Sequence, residues 1–232
     1  MARRRTRDQL EIKRRRRHIR GASMPPAVLY FDVVSPFAYL LDALLRREPL
    51  PVAITYRPVL FAGLLNAHGH KGPAEIPRKR QFMYQYCVWW AEQLGVPFKL
   101  PAAHPFNPLK FLRLIIALDS RPDVVSTVFD ALFTTGADPT DPALWQQICI
   151  DLNCPDAEQR IEAPEVKSAL RENTECALRD GVFGVPTILV DGRLFWGADA
   201  LPMLRDYLRT PSLLDSPAMM QAMRLPISKS RL

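Results

Sequence analysis

The sequence predicts an α/β protein whose small sheet is interrupted by an all-helical block. Three observations carry this. Residues 28–31 (VLYF) suit a buried strand, and Ser35-Pro36 just beyond them opens a helical run. Residues 187–196 read as two short strands around Asp191-Gly192, the strongest short-range hairpin signal. About a hundred residues between these stretches show helical periods and no strand pattern.

The elements follow in order. The Ser35 hydroxyl can cap free N–H groups at the helix start, and Pro36 at the first helical position loses no hydrogen bond. A helix N-terminus carries roughly half a positive charge, which favours an anion. Ser35 therefore reads either as a plain cap or as a site hydroxyl. Residues 52–57 (VAITYR) alternate as a second strand, giving a βαβ unit with parallel pairing. Residues 60–74 hold three glycines among short apolar pieces and read as a loop or broken helix. Residues 78–94 carry a helical stripe of Phe82, Tyr86, Trp89, Trp90 and Leu94. A proline-rich connector spans 97–108. Helices are expected over 109–118, 123–133, from Asp141-Pro142 to about 152, and from Pro164 to Gly181. A strand over 187–190, its return over 193–196 and a helix from Gly197 through 208 complete the body. Residues 211–232 show no clear period beyond a short helix around 219–223.

At 232 residues with 48% hydrophobic content the chain can build a sizeable core. The net charge of +7 is unevenly placed. Residues 1–23 hold ten basic side chains against Asp8 and Glu11, or +8, so the remainder carries −1. This basic tail has almost no apolar residues and is expected to be disordered. It reads either as an extension upstream of a natural start at Met24 or as a non-specific binder of nucleic acid; nucleic acid is the less favoured partner. It lacks the apolar core of a secretory signal, and no run of 18 apolar residues suggests a membrane span. Cys87, Cys149, Cys154 and Cys176 form no Cys-x-x-Cys pair and no metal-ligand spacing. They read as reduced thiols in a cytoplasmic protein.

The order β-α-β, helical insert, β-β-α is that of a thioredoxin-like fold with an inserted all-helical domain. Residues 27–58 and 182–210 form the thioredoxin-like part, 59–181 the insert and 211–232 an extension. In this fold the first helix N-terminus faces a cis-proline loop before the hairpin. Val185-Pro186 falls there, although a strand-initiating trans proline is the alternative. A cis bond would leave Val185's backbone open to pair with an extended peptide. At the helix tip this chain has Ser35-Pro36-Phe37-Ala38 and no thiol, which excludes dithiol–disulfide exchange. A hydroxyl there can still hydrogen-bond another molecule's thiolate. A depression of roughly one to two pKa units would make a peptide thiol largely ionised at neutral pH.

Three stretches, FDVVSPFAYL, HGHKGPAEIPRKR and FGVPTILVDGRLFWGADAL, resemble the 2-hydroxychromene-2-carboxylate isomerases. These are DsbA-like relatives of kappa-class glutathione transferases. The resemblance covers about 27–209. It implies glutathione as cofactor, a small aromatic acid as substrate, and cis–trans isomerisation by reversible addition of the thiolate. By the same resemblance the catalytic serine falls on Ser35. Glutathione's cysteine pairs with Val185 beside Pro186, and its γ-glutamyl end meets Ala198-Asp199. Phe37 and Trp196 join the expected glutathione contacts, as do His70 and Lys79, which read equally as a solvated loop. His70 stands where the family has an amide, which puts the polar contacts of that loop in question. His104 and Asn107 are candidates for the substrate's carboxylate or carbonyl. Phe37, Tyr39, Phe61, Trp90 and Phe106 read as an aromatic wall or as core. A homodimer is kept open.

Rival readings are a kappa-type transferase or peroxidase that consumes the thiolate, and a non-catalytic DsbA-like module that kept the peptide groove. A third rival places the function in the basic tail.

Overall fold

The computed structural model describes residues 26–226. The basic tail 1–23 and the last residues of the C-terminal extension, with the expectations placed on them, lie outside these. A four-stranded sheet runs in the order β2-β1-β3-β4. Strand β1 (Ala27–Phe31) pairs parallel with β2 (Ile54–Pro58) and antiparallel with β3 (Thr187–Val190), which pairs antiparallel with β4 (Arg193–Trp196). Asp191 and Gly192, with φ of 50° and 69°, make the tight turn that the Asp-Gly pair predicts.

The register collects four chain segments at one end of the sheet. Phe31 lies opposite Pro58, Tyr30 opposite Thr187, and Thr187 opposite Trp196. The exits of β1, β2 and β4 and the entrance to β3 therefore meet there. Ser35, Phe61, Trp196 and Val185 sit on those segments.

Helix α1 (Pro36–Arg47) follows β1 and buries Ala38, Tyr39, Leu40, Leu41 and Ala43. Between β2 and β3 come α2 (Phe61–His68), α3 (Pro77–Leu94), α4 (Leu109–Ala117), α5 (Pro122–Phe133), α6 (Pro142–Asp151), α7 (Ala157–Glu162) and α8 (Pro164–Arg179). Proline opens five of these helices after α1: α3, α5, α6, α8 and, further on, α10, so its missing N–H costs no bond. Asp141 caps α6 through Ala143 N–H at 2.8 Å. After β4 a 3₁₀ turn (Ala198–Ala200) leads into α9 (Leu201–Arg209), and α10 (Pro217–Met223) is the last described helix.

The main core lies between α1, one face of the sheet and the insert. Phe31, Tyr39, Phe129 and Phe133 are buried in mutual contact, with Tyr39 and Phe133 centroids 5.4 Å apart. On the other face Tyr30, Val59, Leu64, Ala177, Val182 and Val185 form a smaller cluster under α2 and α8. There the Tyr30 hydroxyl donates to Asp180 and takes an Arg57 N–H.

Three local readings change. Residues 61–68 form a regular helix, and 157–162 form a short one that its six residues are too few to announce. The apolar stripe of α3 is divided, with Trp90 and Leu94 packed half-buried against the core. Met83, Cys87 and Ala91 are buried, whereas Phe82 and Trp89 are 68% and 52% exposed. All four cysteines are free. No helix among the described residues is long and apolar enough to cross a membrane.

Candidate functional site

Ser35 stands where β1 hands over to α1. Its N–H donates to Asp32 O (3.0 Å), and its Oγ accepts the Ala38 N–H (3.3 Å). The serine is thus a helix cap, but capping uses only an oxygen lone pair. Among the described residues nothing accepts the Ser35 O–H, and the residue as a whole is buried, with 7% of its surface exposed. A donor at the positive end of a twelve-residue helix is suited to an anion.

Asp32, the last residue before that turn, is fully buried. One carboxylate oxygen takes the Val34 N–H and the other the Phe61 N–H, both at 2.9 Å. Among the described residues no cation pairs with it. Burial pushes its pKa up to about 7, against the pull of the two N–H bonds. The carboxyl ties the β1 exit to the start of α2.

Across the sheet end, the Val185–Pro186 bond is cis. Among the described residues neither the Val185 N–H nor its C=O has a hydrogen-bond partner. Pro186 O takes the Gly197 N–H at 2.9 Å, which brings the Ala198-Asp199 turn alongside. Gly197 has φ of 90°, and a Cβ on it would lie 2.2 Å from Asp199 Oδ1, so glycine alone fits beneath that carboxylate. Ala198 is buried and Asp199 exposed. Trp196, 55% exposed, packs edge-on to Phe183 at 5.1 Å and lies against Gly184, where a Cβ would fall 2.6 Å from the indole nitrogen. This end of the sheet therefore holds free backbone at Val185, an aromatic flank at Trp196 and an exposed acid at Asp199, which suits a cationic group.

Phe37, the second residue of α1, meets Tyr86 (6.2 Å) and Trp90 (6.3 Å) of α3. Tyr86 continues the contact to Phe82 and Trp89. The result is an exposed aromatic ladder beginning beside Ser35. Tyr39, read as a wall or core residue, is core, and its hydroxyl donates to Pro97 O. Phe61 and Phe106 are half-buried against the cores.

His104 lies at this end too, but both ring nitrogens are engaged inside the protein: Nε2 with Val34 O at 2.6 Å, Nδ1 with the Tyr84 hydroxyl at 2.7 Å. Asn107 Oδ1 takes the Leu109 N–H at 3.0 Å and helps start α4. His70 follows the left-handed Gly69 that ends α2, and Lys79 lies in the first turn of α3; both are exposed. Among the described residues no hydrogen bond or ion pair joins either to the Ser35 end. His68, which sequence reasoning passed over, reaches Val182 O at 3.2 Å and holds the end of α2 near the segment leading to Val185. Tyr84 and Asp32 were also missed. For Asp32 the signal was a carboxylate directly after an apolar strand. Two surface hollows of about 410 and 470 Å³ lie elsewhere, around Arg160 and Glu165 and around Arg46 and Asp130. Among the described residues no group of three or more His, Cys, Asp or Glu could hold a metal.

Sheet order, helical insert and a proline loop facing the first helix define a thioredoxin-like protein of the inserted-helix type. The chain belongs to the DSBA-like thioredoxin domain family, whose model matches residues 28–209. It is similar to the 2-hydroxychromene-2-carboxylate isomerase of Sphingobium xenophagum, 30% identical over 77% of this chain and 95% of that one. It is also similar to glutathione S-transferase kappa 2 of Caenorhabditis elegans, 28% identical over 78% and 91%. A solved 2-hydroxychromene-2-carboxylate isomerase superposes with a TM-score of 0.69 at 22% identity, covering 87% of this chain and all of that one, which is a likeness of fold.

Proposed function

We propose that this protein is a glutathione-dependent isomerase of the 2-hydroxychromene-2-carboxylate type. The observation that carries the reading is unspent bonding capacity on both sides of one sheet end: the Ser35 O–H and the Val185 backbone. When bound, glutathione would supply the thiolate nucleophile that adds reversibly to a conjugated aromatic acid. Val185 would hold the cysteine backbone as an added strand. The Ala198-Asp199 turn would take the γ-glutamyl end, with Asp199 on the ammonium group. Ser35 would donate to the sulfur, and the α1 N-terminus would favour its negative charge. Trp196 and Phe37 flank that path. The aromatic ladder from Phe37 to Trp89, its rings tilted by 43° and 39° from one to the next, would offer an apolar surface to the acid. His70 and Lys79 stay as candidates for an outer polar contact, and His104 and Asn107 for the acid's oxygens only if they give up their present bonds. The four free cysteines fit a reducing, cytoplasmic setting.

The test is a titration of bound glutathione by thiolate absorbance. Ser35→Ala should bind glutathione within about threefold of the parent, since one lost charge-assisted bond is worth about 1.5–3 kcal/mol and is assigned to the ionised form. Its bound thiol pKa should rise by roughly one to two units, and turnover should fall about 10- to 100-fold. Equal thiol pKa values in the two proteins would refute the role of Ser35. A kappa-type transferase has equal support from the nematode relative. It would consume glutathione in a conjugate where the isomerase leaves it intact. A non-catalytic module would not be retained on glutathione resin.

A further inference from the structure

The His104 ring is held more closely than a substrate-binding side chain needs to be. Val34 O is only an acceptor, so the Nε2 atom 2.6 Å away must carry a hydrogen. In a neutral ring Nδ1 is then a bare acceptor, and the Tyr84 hydroxyl at 2.7 Å is the donor that keeps it so. Tyr84 also lies 2.9 Å from His104 O, which gives its proton a second acceptor. Burial lowers the His104 pKa, which favours this neutral form, with the Val34 bond opposing. On the other side of the same peptide segment the Val34 N–H is fixed by Asp32. Both polar groups of Val34, the residue before Ser35, are thereby clamped.

We propose that Tyr84 and His104 are positioning residues that set Ser35 through the Val34 carbonyl, Tyr84 doing so by fixing which imidazole nitrogen carries the hydrogen. The chemistry follows from the peptide. A Val34 carbonyl that is hydrogen-bonded to His104 has its negative end satisfied away from position 35. Freed, that carbonyl would be an unpaired dipole next to any sulfur anion, and the turn presenting position 35 to the α1 N–H groups would loosen. Tyr84 comes from α3 and His104 from the connector, so the insert acts on the thioredoxin-like part at this point.

The inference builds on Ser35 as the sulfur's partner, and its test is made independent of glutathione. In a Ser35→Cys background the thiol at position 35 reports on the same turn, and Ala38 supplies no resolving cysteine. Its pKa is read from thiolate absorbance and from the pH dependence of alkylation. Adding His104→Ala should raise that pKa by about one unit, a tenfold loss of thiolate near neutrality. His104→Gln, whose amide N–H can reach Val34 O, should return it to within about 0.3 units of the His104 protein. Tyr84→Phe should give an intermediate rise, because it keeps the ring but frees its tautomer. A side chain that merely supports the fold would lower the melting temperature in all three and leave the thiol pKa where it was. An unchanged pKa in His104→Ala, or a His104→Gln protein no better than His104→Ala at equal melting temperature, overturns the proposal. If His104→Ala does not fold, Tyr84→Phe decides alone, and an unmoved pKa there is equally fatal. A parent that fails to bind glutathione while these shifts appear would overturn the proposed function and leave this positioning intact.

Discussion

The two ends of α1 each bury a carboxyl, and they treat it differently. Toward the C-terminal end, Asp42 is 1% exposed and surrounded by partners. Ser126 Oγ lies 3.0 and 3.2 Å from its two oxygens, and Arg46 Nε 3.1 Å away. Arg46 also forks onto Asp130 at 2.7 and 2.8 Å. At the N-terminal end, Asp32 has two backbone N–H donors and, among the described residues, no cation. The first region is closed, since its charges answer one another within the protein. The second has a helix start capped through Ser35 Oγ, and among the described residues the Ser35 O–H and the Val185 backbone are left without partners. A region that has spent its bonding capacity holds the fold; one that has kept it can hold a ligand.

The largest effect should separate the two carboxyls by pH. Burial lifts Asp32 to about 7 and Asp42 to about 6, from 3.8 in an unperturbed aspartate. Between pH 4 and 7 the native chain therefore holds protons that the unfolded chain has released. For these two groups stability is full below pH 4 and falls as pH rises through the folded values. At about 1.4 kcal/mol per pKa unit, the fall tied to Asp32 is at most about 4 kcal/mol, and that tied to Asp42 is about two-thirds of it. Asp32→Asn should flatten the pH dependence of urea unfolding by up to that amount relative to the parent, and Asp42→Asn by less. The slope is the readout, because Asn cannot accept both N–H bonds at Asp32 and will cost some stability at every pH. A flatter curve from Asp42→Asn than from Asp32→Asn would reverse the contrast.

Next in size is removal of the cation that only one end has. Arg46→Met keeps the apolar stem and deletes the charge facing Asp42 and Asp130. Asp42 is buried but Arg46 is 40% exposed, so solvent screens part of the loss. A destabilisation of roughly 1–3 kcal/mol is expected at pH 8, where Asp42 is charged. It should shrink at pH 5, where Asp42 can take a proton instead. Equal losses at the two pH values would mean that Arg46 acts through its packing.

What the sequence made legible was local. Ser35-Pro36, Asp141-Pro142 and Asp191-Gly192 each settle a helix start or a turn through their own backbone chemistry, and all three stand where expected. The strands at 187–190 and 193–196 are bounded by that turn and need nothing distant. The facing of α3 was not legible. Its period predicts a helix and one stripe of Phe82, Tyr86, Trp89, Trp90 and Leu94, without saying which of them packs inward. The fold buries Met83, Cys87 and Ala91, keeps Trp90 and Leu94 half-buried against the core, and leaves Phe82 and Trp89 in solvent. The His104 contacts were equally out of reach: 70 residues separate it from Val34 and 20 from Tyr84, so composition flags the histidine but only the fold says what it holds. Ser35 and Val185 became meaningful together only through the order of elements.

The smallest effect on stability concerns the aromatic ladder, which belongs to the open end of α1. Phe82 and Trp89 stand mostly in solvent, so Phe82→Ser and Trp89→Ser should each change unfolding free energy by no more than about 0.5 kcal/mol. Met83→Ala, one residue away but 7% exposed, should cost about 2–5 kcal/mol. If the ladder receives an aromatic acid, the two serine variants should raise KM for it roughly three- to tenfold with little change in kcat. Partial burial of one ring face against a ligand is worth about 1 kcal/mol. A large, concentration-dependent loss of melting temperature in the serine variants would have another meaning. It would show that a second copy of the chain covers this face in solution, since only mass action makes stability depend on protein concentration. The open end of α1 would then be closed by a neighbour, as Arg46 closes the other end from within.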